Sequence, residues 1–235
     1  MNFEEKRPAP PGQSGFLDDL AALWLGPTRL FSSLRAAPRS RLALALLLVV
    51  VAAATLLTID VLLATMKARG AEEVAARGGQ GAESLRLLEH PATRIGIVLV
   101  SPATLLLVVV AHAVGGYILL MLTGGAEGEK PFMSLLRVVV WAKLVEVPRM
   151  LLWVPLVLVK RNAEVYFGPA AFLPGDADPR LLSVLGSLDL FSIWFLALLV
   201  LGIAVVMRVS RRRAAAAAIL PWAVWVAVKA AGAGA

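Results

Sequence analysis

Three ionisable side chains, Lys143, Glu146 and Arg149, fall within two helical turns of an otherwise apolar stretch, WAKLVEVPRM. On a helix, spacings of three residues bring one carboxylate within reach of both cations. Charge inside a bilayer is costly and defaults to a functional reading, here a polar cavity or a partner contact built on this trio. The competing reading pairs the three charges with one another and lets the long cations snorkel toward headgroups. Pro148 disfavours helical geometry at Val147, so a kink is expected beside the cluster.

Other candidate groups are sparse. His112 sits beside Gly115 and Gly116 in an apolar run, where it either relays protons or hydrogen-bonds a neighbouring helix that the glycines let approach. Asp189 opens an apolar segment, where a carboxylate favours the positive end of the helix dipole. Asp60 lies near the end of its segment and is expected to reach the interface. The run Glu72-Glu73-Val-Ala-Ala-Arg77 is similar to the EExxxR signature of intramembrane proteases of the CAAX type. It lies in a polar loop, however, and Val108 stands four residues before His112, where that family has Phe. Cysteine is absent, which excludes disulfides and thiolate chemistry, and two histidines leave little material for a metal site. No phosphate-cradling loop and no credible Ser/His/Asp set is present, so no cofactor and no catalytic residue is assigned.

The elements that hold these groups follow from composition. The chain has 235 residues, 59% hydrophobic and 17% charged, with a mean hydropathy of +0.80. Soluble domains run nearer 45–50% apolar with about 25% charged, and a chain this small cannot bury the excess. The implied fold class is an all-α membrane protein, because in lipid every backbone polar group must be satisfied within its own segment. Five apolar segments, at about 42–66, 95–122, 132–159, 187–207 and 214–231, approach the roughly 20 residues a crossing needs. A single domain over 42–235 is expected, a bundle of about five transmembrane helices. Residues 1–15 read as a disordered polar tail, with no apolar run to mark a cleaved signal peptide. Residues 16–41 read as amphipathic interfacial helices interrupted at Pro27, with Phe16, Leu20, Leu23 and Trp24 on one face and Asp18 and Asp19 on the other.

The net charge of +7 reads as topogenic rather than as a nucleic-acid signal. If the amino terminus is inside, the densest basic clusters, Arg35/Arg39/Arg41 and Arg208 to Arg213, are cytoplasmic and the carboxyl terminus is outside. The second cluster separates two segments so closely that a short turn must join them.

The fourth segment, SLDLFSIWFLALLVLGIAVV at 187–206, resembles the penultimate helix of the Yip-one (Ypt-interacting protein) domain family. That family's "LDxFxxWxxxLLxxG" pattern is matched by Leu188, Asp189, Phe191, Trp194, Leu198, Leu199 and Gly202. GGAEGEKPFMSLLRVVVWAKLVEVP (124–148) and PTRLFSSLRAAPR (27–39) are similar to its glycine turn with following helix, and to its entry to the first span. Before Pro148 the family's usual small residue and Tyr are replaced by Leu144-Val145-Glu146-Val147. The resemblance implies five spans, a cytosolic amino terminus and no known catalytic activity. Eukaryotic members are associated with Rab-type GTPases and vesicle traffic, and some prokaryotic ones are thought to assist ABC-type exporters. The Ala-, Arg- and Leu-rich composition points to a prokaryotic member in the inner (cytoplasmic) membrane. The expected function is a non-enzymatic accessory or scaffold protein, with the bilayer and another membrane protein (ABC exporter subunits) or itself as partners. The alternative is a lipid- or solute-handling channel or transporter using the polar third segment. Candidate contact residues are Glu146, Lys143, Arg149, Asp189, Trp194, Phe191 and His112. Helical periodicity places Phe191, Trp194, Phe195, Leu198 and Gly202 on a stripe expected to pack the bundle, and Asp189 on the opposite side, toward the loop at 160–186 or a partner.

Overall fold

A computed structural model describes residues 15–34, 39–76, 82–125, 130–174 and 177–233. Most of the tail at 1–15, Arg35, Arg77 and the GGQG run lie outside the described residues. The described residues form helices α1 (Phe16–Leu25), α2 (Pro27–Ser33), α3 (Ser40–Ala76), α4 (Ala82–Leu87), α5 (Pro91–Leu122), α6 (Pro131–Lys143), α7 (Glu146–Lys160), α8 (Pro179–Gly186), α9 (Leu190–Met207) and α10 (Arg211–Gly232), with a single 3-10 turn at Pro169–Phe172. The protein is an all-helical integral membrane protein.

Among the described residues, four helices are long and apolar enough to cross a membrane: α3, α5, α9 and α10. Their outer faces carry large apolar side chains, among them Leu56, Leu107, Ile193 and Val228, as lipid-facing surfaces require. The segment at 132–159, expected to kink beside Pro148, is broken there into two helices of 13 and 15 residues. At 1.5 Å per residue each is roughly 20 Å long, short of a hydrocarbon core of about 30 Å. The break follows from Pro148, which has no N–H to give the Leu144 carbonyl. The backbone tightens to three-residue bonds, Leu144 N to the Trp141 carbonyl (3.2 Å), Val145 N to that of Ala142 (3.4 Å) and Val147 N to that of Leu144 (3.0 Å).

Helix α6 is the core around which the rest assembles. Every residue from Val138 to Lys143 is buried, and Trp141 is fully enclosed. It packs against α3, α5 and α9, and the Trp141 indole N–H donates to Ser40 Oγ at 3.2 Å. Helices α1 and α2 dock onto this core. Leu23, Leu30 and Phe31 are at most 1% exposed, and the Phe16 ring lies 6.0 Å from that of Trp141. Gly202 makes the seat, since a Cβ there would stand 2.5 Å from Val138 Cγ1 and 2.9 Å from the Phe31 ring. Asp19 departs from expectation. It is buried rather than solvent-facing, because Arg39 at the entry to α3 reaches it at 2.8 Å.

Helix α3 continues past its apolar segment to Ala76, so Glu72 extends the helix instead of lying in a loop. Asp60 pairs with Arg94 at the start of α5. The segment after α7 is tied down by Arg69 Nε to Glu164 Oε1 (2.5 Å) and Ala163 N to Thr65 Oγ1 (3.1 Å). There, burial and the Glu164 carboxylate push the Tyr166 phenol above its ordinary value, with Arg69 opposing. The short turn expected between the last two segments is present. α9 ends with Arg208 in the left-handed region (φ 54°), and Ser210 caps α10 by accepting from Arg213 N at 3.4 Å.

Candidate functional site

The break between α6 and α7 places its charges beside the start of α9. Lys143 Nζ lies 3.4 Å from Glu146 Oε1, and Arg149 Nη1 lies 3.3 Å from Glu146 Oε2. The other guanidinium nitrogen of Arg149 reaches Asp189 Oδ2 at 2.9 Å. Asp189 is also the N-cap of α9, with Oδ1 accepting from Ser192 N at 2.6 Å. Two cations and two carboxylates thus form a charge-balanced chain, Lys143–Glu146–Arg149–Asp189. Asp189 at 2% side-chain exposure is its most enclosed member. A buried charge needs such partners, because desolvation of an isolated ion costs several kcal/mol.

An aromatic ring joins this chain to α5. Lys143 Nζ sits 4.1 Å from the centroid of Phe195, and the His112 ring meets Phe195 edge-on at 5.4 Å. His112 Nδ1 lies 2.8 Å from the Val108 carbonyl of its own helix. A carbonyl only accepts, so Nδ1 carries the hydrogen. The expected histidine bond to a neighbouring helix is therefore replaced by an intrahelical one, although α10 does approach closely. A Cβ on Gly116 would lie 3.1 Å from the Ala217 carbonyl oxygen. His112 Nε2 is buried with no hydrogen-bond partner among the described residues. A cavity of about 200 Å³ opens beside it, lined also by Lys143, Glu146, Arg149, Trp222, Trp225 and Lys229. Among the described residues no cluster of His, Asp or Glu could hold a metal ion.

The profile of the Yip1 domain matches residues 21–231, nearly the whole chain. The chain belongs to the Yip1 domain family. No curated protein and no solved structure matches it. The Yip1 domain is a membrane-protein family not known to be enzymatic, and the site described above contains no arrangement that assigns a reaction.

Within this Yip1 domain, five of the seven candidate residues come together: Lys143, Glu146, Arg149, Asp189 and His112 line the cavity or pair with its lining. The other two lie apart. Phe191 packs edge-on against Phe167 at 5.4 Å, holding the start of α9 to the preceding loop. Trp194 does not pack the bundle interior. It is 40% exposed and stacks on Trp24 of α1 at 6.1 Å. The buried face of α9 is rotated from the expected stripe, running through Phe195, Leu198, Leu199, Gly202 and Ile203. Asp189 likewise points to Arg149 rather than outward. Sequence reasoning missed Trp222, Trp225 and Lys229. Their spacing of three and four residues puts them on one face of α10, the available signal.

Proposed function

We propose that the protein is a non-enzymatic accessory subunit of a larger membrane complex, such as an ABC-type exporter, in the cytoplasmic membrane of a prokaryote. Its amino terminus is inside and its carboxyl terminus outside, with α6 and α7 together making the third of five crossings. The supporting observation is the balanced chain Lys143–Glu146–Arg149–Asp189. Lys143, Glu146 and Arg149 of the third segment are balanced within the fold by Asp189 of the α9 cap. They lock α6–α7 to α9, while the outer faces of α3, α5, α9 and α10 remain apolar for lipid and partner helices. The exposed Trp24–Trp194 stack, at 40% exposure for each ring, offers an aromatic contact of the kind enriched at interfaces.

Purification from the native host in mild detergent, followed by mass spectrometry, tests this. The expected result is a second membrane protein in fixed stoichiometry, lost when Trp24 and Trp194 are both replaced by Ala. The cavity beside His112 favours a second reading, a lipid- or solute-handling transporter. Recovery of the chain alone, with solute flux in reconstituted vesicles, would establish that reading instead.

A further inference from the structure

We infer that the cavity beside the α6–α7 break binds an anionic phosphate group carrying a hydroxyl, such as the phosphodiester and free alcohol of a phosphatidylglycerol headgroup. Three observations converge on it. The first is charge. Lys143, Arg149 and Lys229 line the cavity against the single carboxylate of Glu146. Asp189 offsets Arg149 from behind. Lys229 has no carboxylate partner among the described residues, so the cavity holds an excess positive charge. Phosphate oxygens are the natural complement, since hydrogen bonds to ionised groups are roughly twice as strong as neutral ones.

The second observation is His112. With Nδ1–H directed at the Val108 carbonyl, the neutral ring presents Nε2 as an acceptor, and that atom is buried without a partner. A bare anion cannot satisfy it, whereas a hydroxyl can, by donating. This distinguishes a hydroxylated phosphodiester or a protonated phosphate from a carboxylate or a halide. The third observation is the approach. The cavity runs from buried His112 to exposed Lys229 past Trp222 and Trp225, and Trp225 is 48% exposed. Indoles prefer places with one apolar and one wet side, and exposed Val224 and Val228 on the same helix give an acyl chain an apolar flank.

Native mass spectrometry of the purified full chain in detergent tests the site, with phosphatidylglycerol, phosphatidylcholine and inorganic phosphate as probes. Phosphatidylglycerol should be retained in preference to phosphatidylcholine. Lys229→Gln, an exposed position outside the ion-pair chain, should weaken that retention about tenfold, the loss of one hydrogen bond to a charged group, with an unchanged melting temperature. His112→Asn should weaken phosphatidylglycerol more than its analogue with both headgroup hydroxyls O-methylated, which has no donor for Nε2. Displacement of bound lipid by millimolar inorganic phosphate would identify free phosphate as the ligand. Failure to displace it identifies the lipid. Equal retention of the two lipids, or wild-type preference in both variants, would overturn the assignment.

Discussion

Replacing Asp189 by Asn removes a charge and keeps a cap. Asn is as good an N-cap as Asp, so the bond from Ser192 N, 2.6 Å in the wild type, is retained. What disappears is the anion facing Arg149 at 2.9 Å. Removing one partner of a buried pair typically costs 3–5 kcal/mol, because the other charge is left uncompensated. Here Arg149 is 30% exposed and keeps Glu146 at 3.3 Å, which lowers the expected cost to about 2–3 kcal/mol. Asp189→Ala loses the cap as well, adding about 1 kcal/mol. Arg149→Met is worse than Asp189→Asn, because it strands a carboxylate that is only 2% exposed. The double variant should recover about 2 kcal/mol of the summed losses. The measurement is reversible unfolding by SDS in mixed micelles, followed by helical circular dichroism. An Asn variant indistinguishable from wild type would refute the argument that this pair fastens α7 to α9.

Trp141→Ala should destabilise by about 3–5 kcal/mol, since that ring is fully enclosed. Trp194→Ala, half out of the fold on Trp24, should cost about 1 kcal/mol; in the same unfolding assay, comparable losses would show that the buried face of α9 is misassigned. Gly202→Ala drives a methyl into Val138 and Phe31 and should cost about 1–3 kcal/mol, partly relieved by Phe31→Leu; a silent change would show that α2 is not seated there. Because the chain has no cysteine, single cysteines report topology cleanly. A membrane-impermeant maleimide added to intact cells should label Gly232→Cys and Asn162→Cys but not Val209→Cys, and the reverse pattern would invert the orientation.

Much of the fold was legible because lipid leaves an apolar run of 20 residues few alternatives: the segments at 42–66, 95–122, 187–207 and 214–231 correspond to α3, α5, α9 and α10. Pro148 announced the break in the third segment, although not that α6 would be buried throughout its second half, from Val138 to Lys143. The face of α9 was legible in part: Phe195, Leu198 and Gly202 are buried as expected, Phe191 and Trp194 are not. Its residues are almost uniformly apolar, so periodicity gave no basis for choosing Ile203 over Trp194 as the buried one. The docking of α1 and α2 was hidden for a related reason, since one amphipathic pattern serves a headgroup layer or a helix bundle equally well. The trio Lys143, Glu146 and Arg149 could be read from local spacing. Its tie to Asp189, and the approach of Lys229, depend on packing between distant segments that no local pattern encodes.

The divided third segment also constrains how the protein is made. When α6 and α7 leave the ribosome they carry Arg137, Lys143, Arg149 and, at the very end, Lys160 against Glu146 alone, and neither half is long enough to partition into lipid by itself. The carboxylate that completes their neutralisation, Asp189, is synthesised forty residues after Arg149. Stable insertion of this divided segment is therefore expected to wait on a later helix, α9. Truncation after residue 175 should leave a chain still anchored by α3 and α5, in which Asn162→Cys is no longer labelled by the impermeant maleimide.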